Sequence, residues 1–297
     1  MPSHDSTLRF SRFNRRTFLA ASAGLALAAA CGDDSNDDSQ GTGGTSKSGR
    51  SLVAFFGPQA AGAVRLPFGL GDRDGVLLKD GPATLTGQFA TIDGKAIGAP
   101  VTVNRHVKDL QRAYYPFTTE LTTPGSYQLM VNDGKDEYSG AFSIVDPAKL
   151  GVPRPGEALR SVDTPTTADA KGVNPICTRD PICPLHNVSL STAMAEGKPI
   201  ALLIATPLFC KTAICGPVLD VLLGQRATYG DRVTFIHAEV YTDKTIDKTT
   251  AAVDAYKLDY EPALFLADAT GKIVNRLDVI YDTDELVENL DKLVNAK

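Results

Sequence analysis

The chain has 297 residues, of which 43% are hydrophobic and 22% are charged, and its formal net charge is −5. This length predicts about two domains, and the composition is that of a globular protein. Because the net charge is acidic and no basic patch is visible, the sequence lacks the electrostatic footprint of a nucleic-acid-binding protein. We therefore expect no nucleic-acid partner.

The N-terminus, residues 1–30, has the pattern of an export signal. Four arginines precede an Ala-rich apolar stretch that is too short to span a bilayer as a helix. Arg15 and Arg16 resemble a twin-arginine signal, and the sequence AAAC that ends at Cys31 resembles a bacterial lipobox. The resemblance implies that Cys31 carries a lipid and anchors the protein on the extracytoplasmic side of the cell membrane. The alternative is cleavage after Ala30 by an ordinary signal peptidase, which leaves Cys31 as a free thiol.

Two stretches have the composition of linkers. Residues 31–50 are rich in Ser, Gly and Asp and have no apolar run to bury, which predicts a flexible tether. Residues 148–170 carry several prolines among polar residues, which predicts a semi-extended Pro-rich linker.

Between these linkers, residues 51–147 contain short apolar or alternating runs separated by Gly-rich turns, which predicts an antiparallel β-sandwich. Strands are predicted over residues 52–56, 83–92, 100–103, 114–121, 126–131 and 138–145. The sequence PGSY at residues 124–127 resembles the corner that enters a late strand of immunoglobulin-like domains. The resemblance implies an immunoglobulin-like sandwich that supports its neighbour or binds a partner. Its one histidine, His106, is expected in a surface loop.

The chemistry is expected in residues 171–297, around Cys210 and Cys215. A buried strand, residues 199–205, leads into these cysteines, and the helical pattern of an apolar face follows them. A helix N-terminus offers unpaired N–H groups and partial positive charge, which favour a thiolate. Residues five apart within a regular helix lie too far apart for a disulfide, so a bond between them requires Cys210 in the loop before the first turn.

The order of predicted elements over residues 171–297 resembles the thioredoxin-like proteins: strand, helix, strand, helix, β-hairpin, helix. The sequence CGP at Cys215 echoes the Cys-Gly-Pro-Cys of that family, although this chain spaces its cysteines by four residues instead of two. Glu261 and Pro262 stand where the family keeps a cis-proline that faces the cysteines. The resemblance implies an α/β fold in which Cys210 is the nucleophile, Cys215 resolves the mixed disulfide, and Glu261 and Pro262 shape a substrate groove.

Two more cysteines, Cys177 and Cys183, lie in a Pro-rich loop at the start of this region. With the thiol pair they make four, an even number suited to an oxidising compartment, and four cysteines allow three pairings. We expect a Cys177–Cys183 bridge that staples the loop, or an auxiliary pair that passes electrons to Cys210 and Cys215. A soft-metal site that includes His186 is an alternative, but the spacings are not those of a standard zinc site. We therefore expect no metal and no cofactor, with His237 as a packed strand residue.

The sequence thus predicts a multidomain protein, an all-β immunoglobulin-like sandwich followed by an α/β thioredoxin-like domain. We expect a membrane-anchored thiol–disulfide oxidoreductase that acts on exported proteins or with a membrane redox partner. Three alternatives stay open. They are a redox-inert binding lipoprotein with structural disulfides, a copper-delivery protein, and a peroxidase resembling peroxiredoxins in which Cys215 reacts and Arg276 assists.

Overall fold

The computed structural model describes residues 43–44, 51–72, 76–134 and 137–295. The chain divides into two units, Met1–Gly41 and Thr42–Lys297, and every described residue belongs to the second. The predicted export signal, the predicted lipidation site Cys31 and most of the first linker lie outside the described residues. The described part is mostly β-structure, with thirteen strands in three sheets and five α-helices. None of its helices is both long and apolar enough to cross a membrane.

Residues 43–145, called here the N-terminal half, form two of the sheets. Their strands are β1 (Gly43–Gly44), β2 (Ser51–Ala54), β3 (Gln59–Ala60), β4 (Gly62–Gly71), β5 (Thr84–Thr91), β6 (Ala96–Asn104), β7 (Tyr115–Leu121), β8 (Gly125–Asn132) and β9 (Glu137–Val145). The larger sheet has the order β1-β9-β8-β5-β6, with β3 paired to β9, and the smaller sheet has the order β2-β4-β7. Apolar side chains of both sheets share one core, so the two sheets pack face to face.

The alternation of buried and solvent-facing residues explains this packing. In β8 the buried side chains are Tyr127, Leu129 and Val131, two residues apart and therefore on one face of the sheet. The Tyr127 hydroxyl donates to the carbonyl of Thr123 at 2.6 Å, which fixes the corner where the chain enters β8. This contact lies at the PGSY sequence, residues 124–127.

Residues 171–295, called here the C-terminal half, form the third sheet and the α-helices. The elements are α1 (Leu190–Ala195), β10 (Ile200–Ile204), α2 (Cys215–Gly224), α3 (Arg226–Tyr229), β11 (Thr234–Ala238), α4 (Ala251–Tyr256), β12 (Ala263–Ala267), β13 (Ile273–Asp278) and α5 (Thr283–Asn295). The strand order is β11-β10-β12-β13, with β10 parallel to β11 and the other pairs antiparallel. Every residue of β10 is buried, as its continuous apolar run predicted.

Helices cover both faces of this sheet. Buried residues of α2 and α5 share a core with one face of β10, where Ala201 and Leu203 lie. Buried residues of α1 and α4 share a second core with the opposite face, where Leu202 and Ile204 lie. The alternation of side chains along β10 therefore divides the half into three layers. All four described cysteines pack in or against the first of these cores.

The connecting segment, residues 148–170, packs along the C-terminal half. Val152 and Leu159 are buried in the core that contains α4. The N–H groups of Gly156 and Leu159 donate to the carbonyls of Ile273 and Gly271, each at 2.8 Å. Apart from a 3-10 turn at Pro147–Lys149, no regular helix or strand is described up to residue 170. The sequence predicted a semi-extended linker here, and the structure differs in that its apolar side chains and backbone N–H groups find partners.

A buried ion pair joins the two halves. The Arg65 guanidinium in β4 donates to both carboxylate oxygens of Glu285 in α5, at 2.5 and 2.6 Å, and to the carbonyl of Ile280 at 2.6 Å. Tyr114 is fully buried and donates its hydroxyl to Glu285 at 2.5 Å. Because both charges are paired and hydrogen-bonded, they can be buried without an uncompensated charge.

His106 also belongs to this contact. Its Nδ1 lies 2.8 Å from the Asp282 carboxylate, and its side chain is 20% exposed. The other Asp282 oxygen accepts the N–H groups of Val107 and Lys108 at 3.0 and 3.1 Å. His106 lies in the loop between β6 and β7, as expected, but it is half-buried instead of exposed, because its ring packs against Asp282, 176 residues further along the chain.

Candidate active site

The thiol pair, Cys210 and Cys215, lies where β10 leads into α2. Cys215 is the first residue of α2, and Cys210 precedes the helix in a turn in which Ala213 has a positive φ of 55°. This turn brings the cysteines together, so that the Cys210 sulfur accepts the N–H of Cys215 at 3.4 Å. The predicted position of Cys210 in the loop before the first turn is confirmed.

The two thiols of the pair have opposite environments. Cys210 is partly exposed, whereas Cys215 is completely buried. A hydrogen bond from the Cys215 side chain, with help from Thr212 and backbone N–H groups, lowers the pKa of Cys210 to about 5. Burial and the neighbouring Cys210 raise the pKa of Cys215 well above its ordinary value. At neutral pH the pair therefore consists of an accessible thiolate and a buried thiol.

Glu261 lies beside both sulfur atoms. One carboxylate oxygen of Glu261 and the sulfur atoms of Cys210 and Cys215 all lie within 4.8 Å of one another. Burial, followed by the charge of Cys210, raises the pKa of Glu261 to about 8, and its buried Oε2 has no hydrogen-bond partner in the described part of the chain. The peptide bond between Glu261 and Pro262 is cis, as the family resemblance implied. A carboxyl group with this pKa can gain and lose a proton near neutral pH, next to the thiol that must lose one.

A second set of side chains, the buried cluster, consists of Cys177, Cys183, His186 and His237. One sulfur or nitrogen atom from each residue lies within 4.8 Å of the others, and all four residues are at most 3% exposed. The sequence predicted that Cys177, Cys183 and His186 share one loop, but it did not predict that His237 lies beside them. His237 comes from the middle of β11, and its Nδ1 lies 3.4 Å from the Cys183 sulfur and 3.7 Å from the Cys177 sulfur.

Hydrogen bonds within the buried cluster shift the pKa values of its two cysteines in opposite directions. A hydrogen bond from Cys183, followed by bonds from His186 and His237, lowers the pKa of Cys177 well below its ordinary value. The same bond with Cys177, together with burial, raises the pKa of Cys183. The four cysteines among the described residues are unbridged, so the expected Cys177–Cys183 staple remains a prediction for the oxidised protein.

Thr178 connects the buried cluster to the loop of the thiol pair. Its hydroxyl accepts the N–H of Leu208 at 3.1 Å, two residues before Cys210. The same hydroxyl donates to the buried Glu239 carboxylate at 2.9 Å, and the Thr178 N–H donates to that carboxylate as well. The loop that carries Cys177 therefore supports the loop that presents Cys210.

His237 and Glu239 are the site residues that sequence reasoning missed. They lie two positions apart in and just after β11 and are both buried. Their spacing gives them the same face, and this face belongs to the core that contains the cysteines. The signal in the sequence was a pair of titratable residues that interrupts a buried apolar strand.

Arg276, the arginine considered for peroxidase activity, forms its hydrogen bonds with residues other than the thiol pair. It lies on β13 and is buried, and its guanidinium donates to Asp278 and to the carbonyls of Pro153 and Pro58. It therefore holds the connecting segment and the N-terminal half against β13, which is a structural task. In addition, the buried and protonated state of Cys215 is unsuited to direct attack on peroxide.

No family model matches this chain. No curated protein matches it either. A solved structure described as "Biofilm associated protein - BSP domain" is similar at 19% sequence identity, with a TM-score of 0.23. The similarity covers 40% of this chain and 17% of that one, so the chain spans well under two thirds of the length of that structure. A similarity at this TM-score carries no argument about fold or activity.

Proposed function

We propose that this chain is a membrane-anchored, extracytoplasmic thiol–disulfide oxidoreductase of the thioredoxin-like class that acts on exported proteins. The observation that carries the proposal is the environment of the Cys210 sulfur in the turn that leads into α2. It accepts the N–H of Cys215 at 3.4 Å, it is partly exposed, and the pKa of its thiol is lowered to about 5. An accessible thiolate next to a second, buried thiol is the arrangement that disulfide exchange requires.

Two features support the fold assignments within this proposal. The C-terminal half has a four-stranded sheet with helices on both faces, and the thiol pair follows its central strand β10. The N-terminal half has two packed sheets and a hydroxyl contact from Tyr127 to Thr123 at the entry to β8. We assign the first to the thioredoxin-like class and the second to the immunoglobulin-like class.

The proposed reaction transfers two electrons from the protein to a partner disulfide. The Cys210 thiolate attacks one partner sulfur, so that a mixed disulfide forms and the other partner sulfur leaves as a thiolate. Cys215 then loses its proton and attacks the Cys210 sulfur, which releases the second partner thiolate. The products are a Cys210–Cys215 disulfide and a reduced partner, and the reverse sequence oxidises a dithiol. No cofactor is needed, because the electrons move through sulfur alone.

The membrane location is part of the same proposal. A lipid on Cys31 would hold the chain at the extracytoplasmic surface, where exported proteins acquire and rearrange their disulfides. The partners would be such exported proteins, together with a membrane redox protein that renews the state of the thiol pair.

Trapping of mixed disulfides tests the proposal. Cys215→Ser keeps the attacking thiolate and removes the resolving thiol, so it should accumulate mixed disulfides with exported proteins in cells treated with acid and then alkylated. These adducts should disappear on reduction in a second electrophoresis dimension. The matched control, Cys210→Ser, should trap none.

Two results would overturn the proposal. One is the absence of adducts with Cys215→Ser when the protein is present at its normal level. The other is a Cys210 thiol that reacts with iodoacetamide only after unfolding, which would favour the redox-inert binding lipoprotein.

A further inference from the structure

We propose that the buried cluster of Cys177, Cys183, His186 and His237 is a closed, four-coordinate Zn²⁺ site that fixes the loop beside the active site. This inference is independent of the redox chemistry of the thiol pair. It rests on the distances between the four side chains, on their hydrogen bonds and on their burial.

The distances match those between the ligands of a tetrahedral zinc ion. Zinc–sulfur bonds of about 2.3 Å and zinc–nitrogen bonds of about 2.0–2.1 Å place neighbouring sulfur and nitrogen ligands about 3.5 Å apart. The Cys183 sulfur lies 3.3 Å from His186 Nε2 and 3.4 Å from His237 Nδ1. The Cys177 sulfur lies 3.7 Å from His237 Nδ1. A small cation at the centre would therefore need little movement of the protein.

The outer hydrogen bonds orient the ligand atoms. His237 Nε2 lies 3.1 Å from the carbonyl of Ala205, which can only accept, so this nitrogen carries a proton. In a neutral ring Nδ1 is then unprotonated and faces both sulfur atoms, which is how an outer-shell carbonyl prepares a histidine ligand. The N–H of Cys183 also donates to the Cys177 sulfur at 3.5 Å, and such a bond stabilises a thiolate.

His186 completes the set of four ligands. His186 is 1% exposed, and its Nδ1 has no hydrogen-bond partner among the described residues. Its Nε2 lies 3.3 Å from the Cys183 sulfur, so this nitrogen is within reach of a metal ion that the sulfur also binds. A metal bond at Nε2 would stabilise this buried ring.

The chemistry of the ligands and the charge of the site favour Zn²⁺. Two thiolates and two neutral imidazoles balance the two positive charges of Zn²⁺, whereas Cu⁺ would leave one net negative charge buried. Mg²⁺ and Ca²⁺ prefer oxygen ligands and do not suit sulfur. Zinc binding needs both cysteines as thiolates and both histidines as neutral rings, so any further proton that these groups hold leaves on binding.

The site would be structural rather than catalytic, because the protein supplies all four ligands and water cannot reach the centre. It would join the Pro-rich loop around Cys177 to β11. Because Thr178 contacts the loop of Cys210, the ion would also hold the surroundings of the thiol pair.

A Cys177–Cys183 disulfide is the competing state, since it consumes both thiolates. Metal analysis and thiol counting on the same sample separate the two. The full chain should be purified without chelator or added reductant, and in parallel as Cys210→Ser/Cys215→Ser. The double variant removes the second group of metal-binding side chains, formed by the thiol pair with Glu261.

We expect about one zinc ion per chain in both proteins, and replacement by Co²⁺ should give the absorption of a tetrahedral cobalt–thiolate centre. In the double-variant background, His186→Gln and Cys183→Ser should each weaken zinc binding in a chelator competition by at least about tenfold, the lower end of what loss of even an outer-shell partner causes. Added Zn²⁺ should raise the melting temperature of the parent far more than that of either variant. A variant that does not fold is replaced by His237→Gln.

Three outcomes would overturn the inference. They are a reduced double variant that binds no zinc, ligand variants that keep the parental affinity, and a native protein in which Cys177 and Cys183 are fully disulfide-bonded and zinc is absent.

Discussion

At the scale of single residues, the thiol pair depends on a difference in solvent access. A hydrogen bond from the Cys215 side chain, followed by bonds from Thr212 and from backbone N–H groups at the start of α2, stabilises negative charge on Cys210, while burial keeps the proton on Cys215. Attack on a partner can therefore begin from one sulfur only. Resolution then needs a group that removes the proton from Cys215, and Glu261 is the carboxyl group within 4.8 Å of it.

The charge on Cys210 links Glu261 to the reaction. After burial, the thiolate of Cys210 is the main cause of the raised pKa of Glu261. When Cys210 enters a mixed disulfide, that charge disappears, so the pKa of Glu261 falls and the carboxyl group ionises more readily. A larger fraction of Glu261 is therefore ionised, and able to accept a proton, at the step where Cys215 must be deprotonated.

We therefore expect Glu261→Gln to slow the resolving step. General base catalysis typically contributes at least about 100-fold, so the lifetime of the mixed disulfide should increase by that order. The first attack by Cys210 should change little, because Gln keeps the size of the side chain. Rapid acid quench with a model disulfide substrate measures both steps.

The exposed Glu196→Gln serves as the matched control and should leave both rates unchanged. Equal slowing of attack and resolution by Glu261→Gln would contradict a role in the second step.

At this scale the sequence identified the residues that lie close together along the chain. Cys210 and Cys215 could be predicted because a strand pattern and a helix pattern enclose them. His237 could not be assigned to Cys177 and Cys183, because their meeting depends on how β11 packs against a loop with no regular structure. No local pattern fixes the path of such a loop.

At the scale of elements, the order of the C-terminal strands and helices was predictable because apolar periodicity marks each of them. The buried strand expected over residues 199–205 is observed at Ile200–Ile204, one residue shorter at each end. In the N-terminal half, β4 was missed. It contains Pro67 and several glycines, which normally argue against a strand, yet it is ten residues long and pairs with both β2 and β7.

The connecting segment supports α4 through Arg160. Its guanidinium donates to the carbonyl of Ala255 in the last turn of α4 at 2.6 Å and to that of Gly151 at 2.7 Å. A cation at this end of a helix satisfies a free carbonyl and complements the helix dipole. We expect Arg160→Ala to lower the free energy of unfolding by about 1.5–3 kcal/mol, the value of a hydrogen bond to a charged group. It should also expose residues 148–170 to limited proteolysis.

Arg154→Ala is the matched control for this measurement. Arg154 pairs with Glu157 within the segment itself, in a partly exposed position, and should contribute about 1 kcal/mol or less. Rapid cleavage within residues 148–170 of the unmodified protein would show that the segment is a free linker, as its composition had predicted.

At the scale of the whole described unit, the two halves share a network of buried polar groups. Arg65 and Glu285 form its centre, and Asp282 extends it to His106. Sequence patterns could not reveal this contact, because each residue has an ordinary place in its own half. The network holds the sandwich against the N-terminal end of α5, in the half that carries the thiol pair.

The pH dependence of stability follows from the pair formed by His106 and Asp282. Burial lowers the pKa of His106, but the hydrogen bond and the charge of Asp282 outweigh it and raise that pKa above 6.5. For Asp282, burial is outweighed by the hydrogen bond from His106 and by backbone N–H groups, so its pKa falls below 3.8.

These two shifts fix the pH range in which the pair stabilises the protein. Because the pKa of His106 is raised by folding, its contribution to stability is fully present below the pKa of histidine in the unfolded chain. This contribution is lost as the pH rises through the pKa of His106 in the folded protein. Because the pKa of Asp282 is lowered by folding, its contribution to stability is present above the pKa of aspartate in the unfolded chain. Both contributions are therefore present together between about pH 4 and pH 6.

We expect His106→Gln to remove the histidine contribution and to leave that of Asp282. Chemical unfolding at fixed ionic strength should show the unmodified protein losing stability from pH 6 to pH 8 relative to this variant, so that the two curves converge as the pH rises. Glu285 and Arg65 face the same ring and act on the pKa of His106 in opposite directions, so Asp282 is the dominant partner. Parallel curves for the two proteins across pH 5–8 would contradict a protonated His106 at the contact. A difference between the curves that grows with pH would mean that the neutral ring is the form that holds the two halves together.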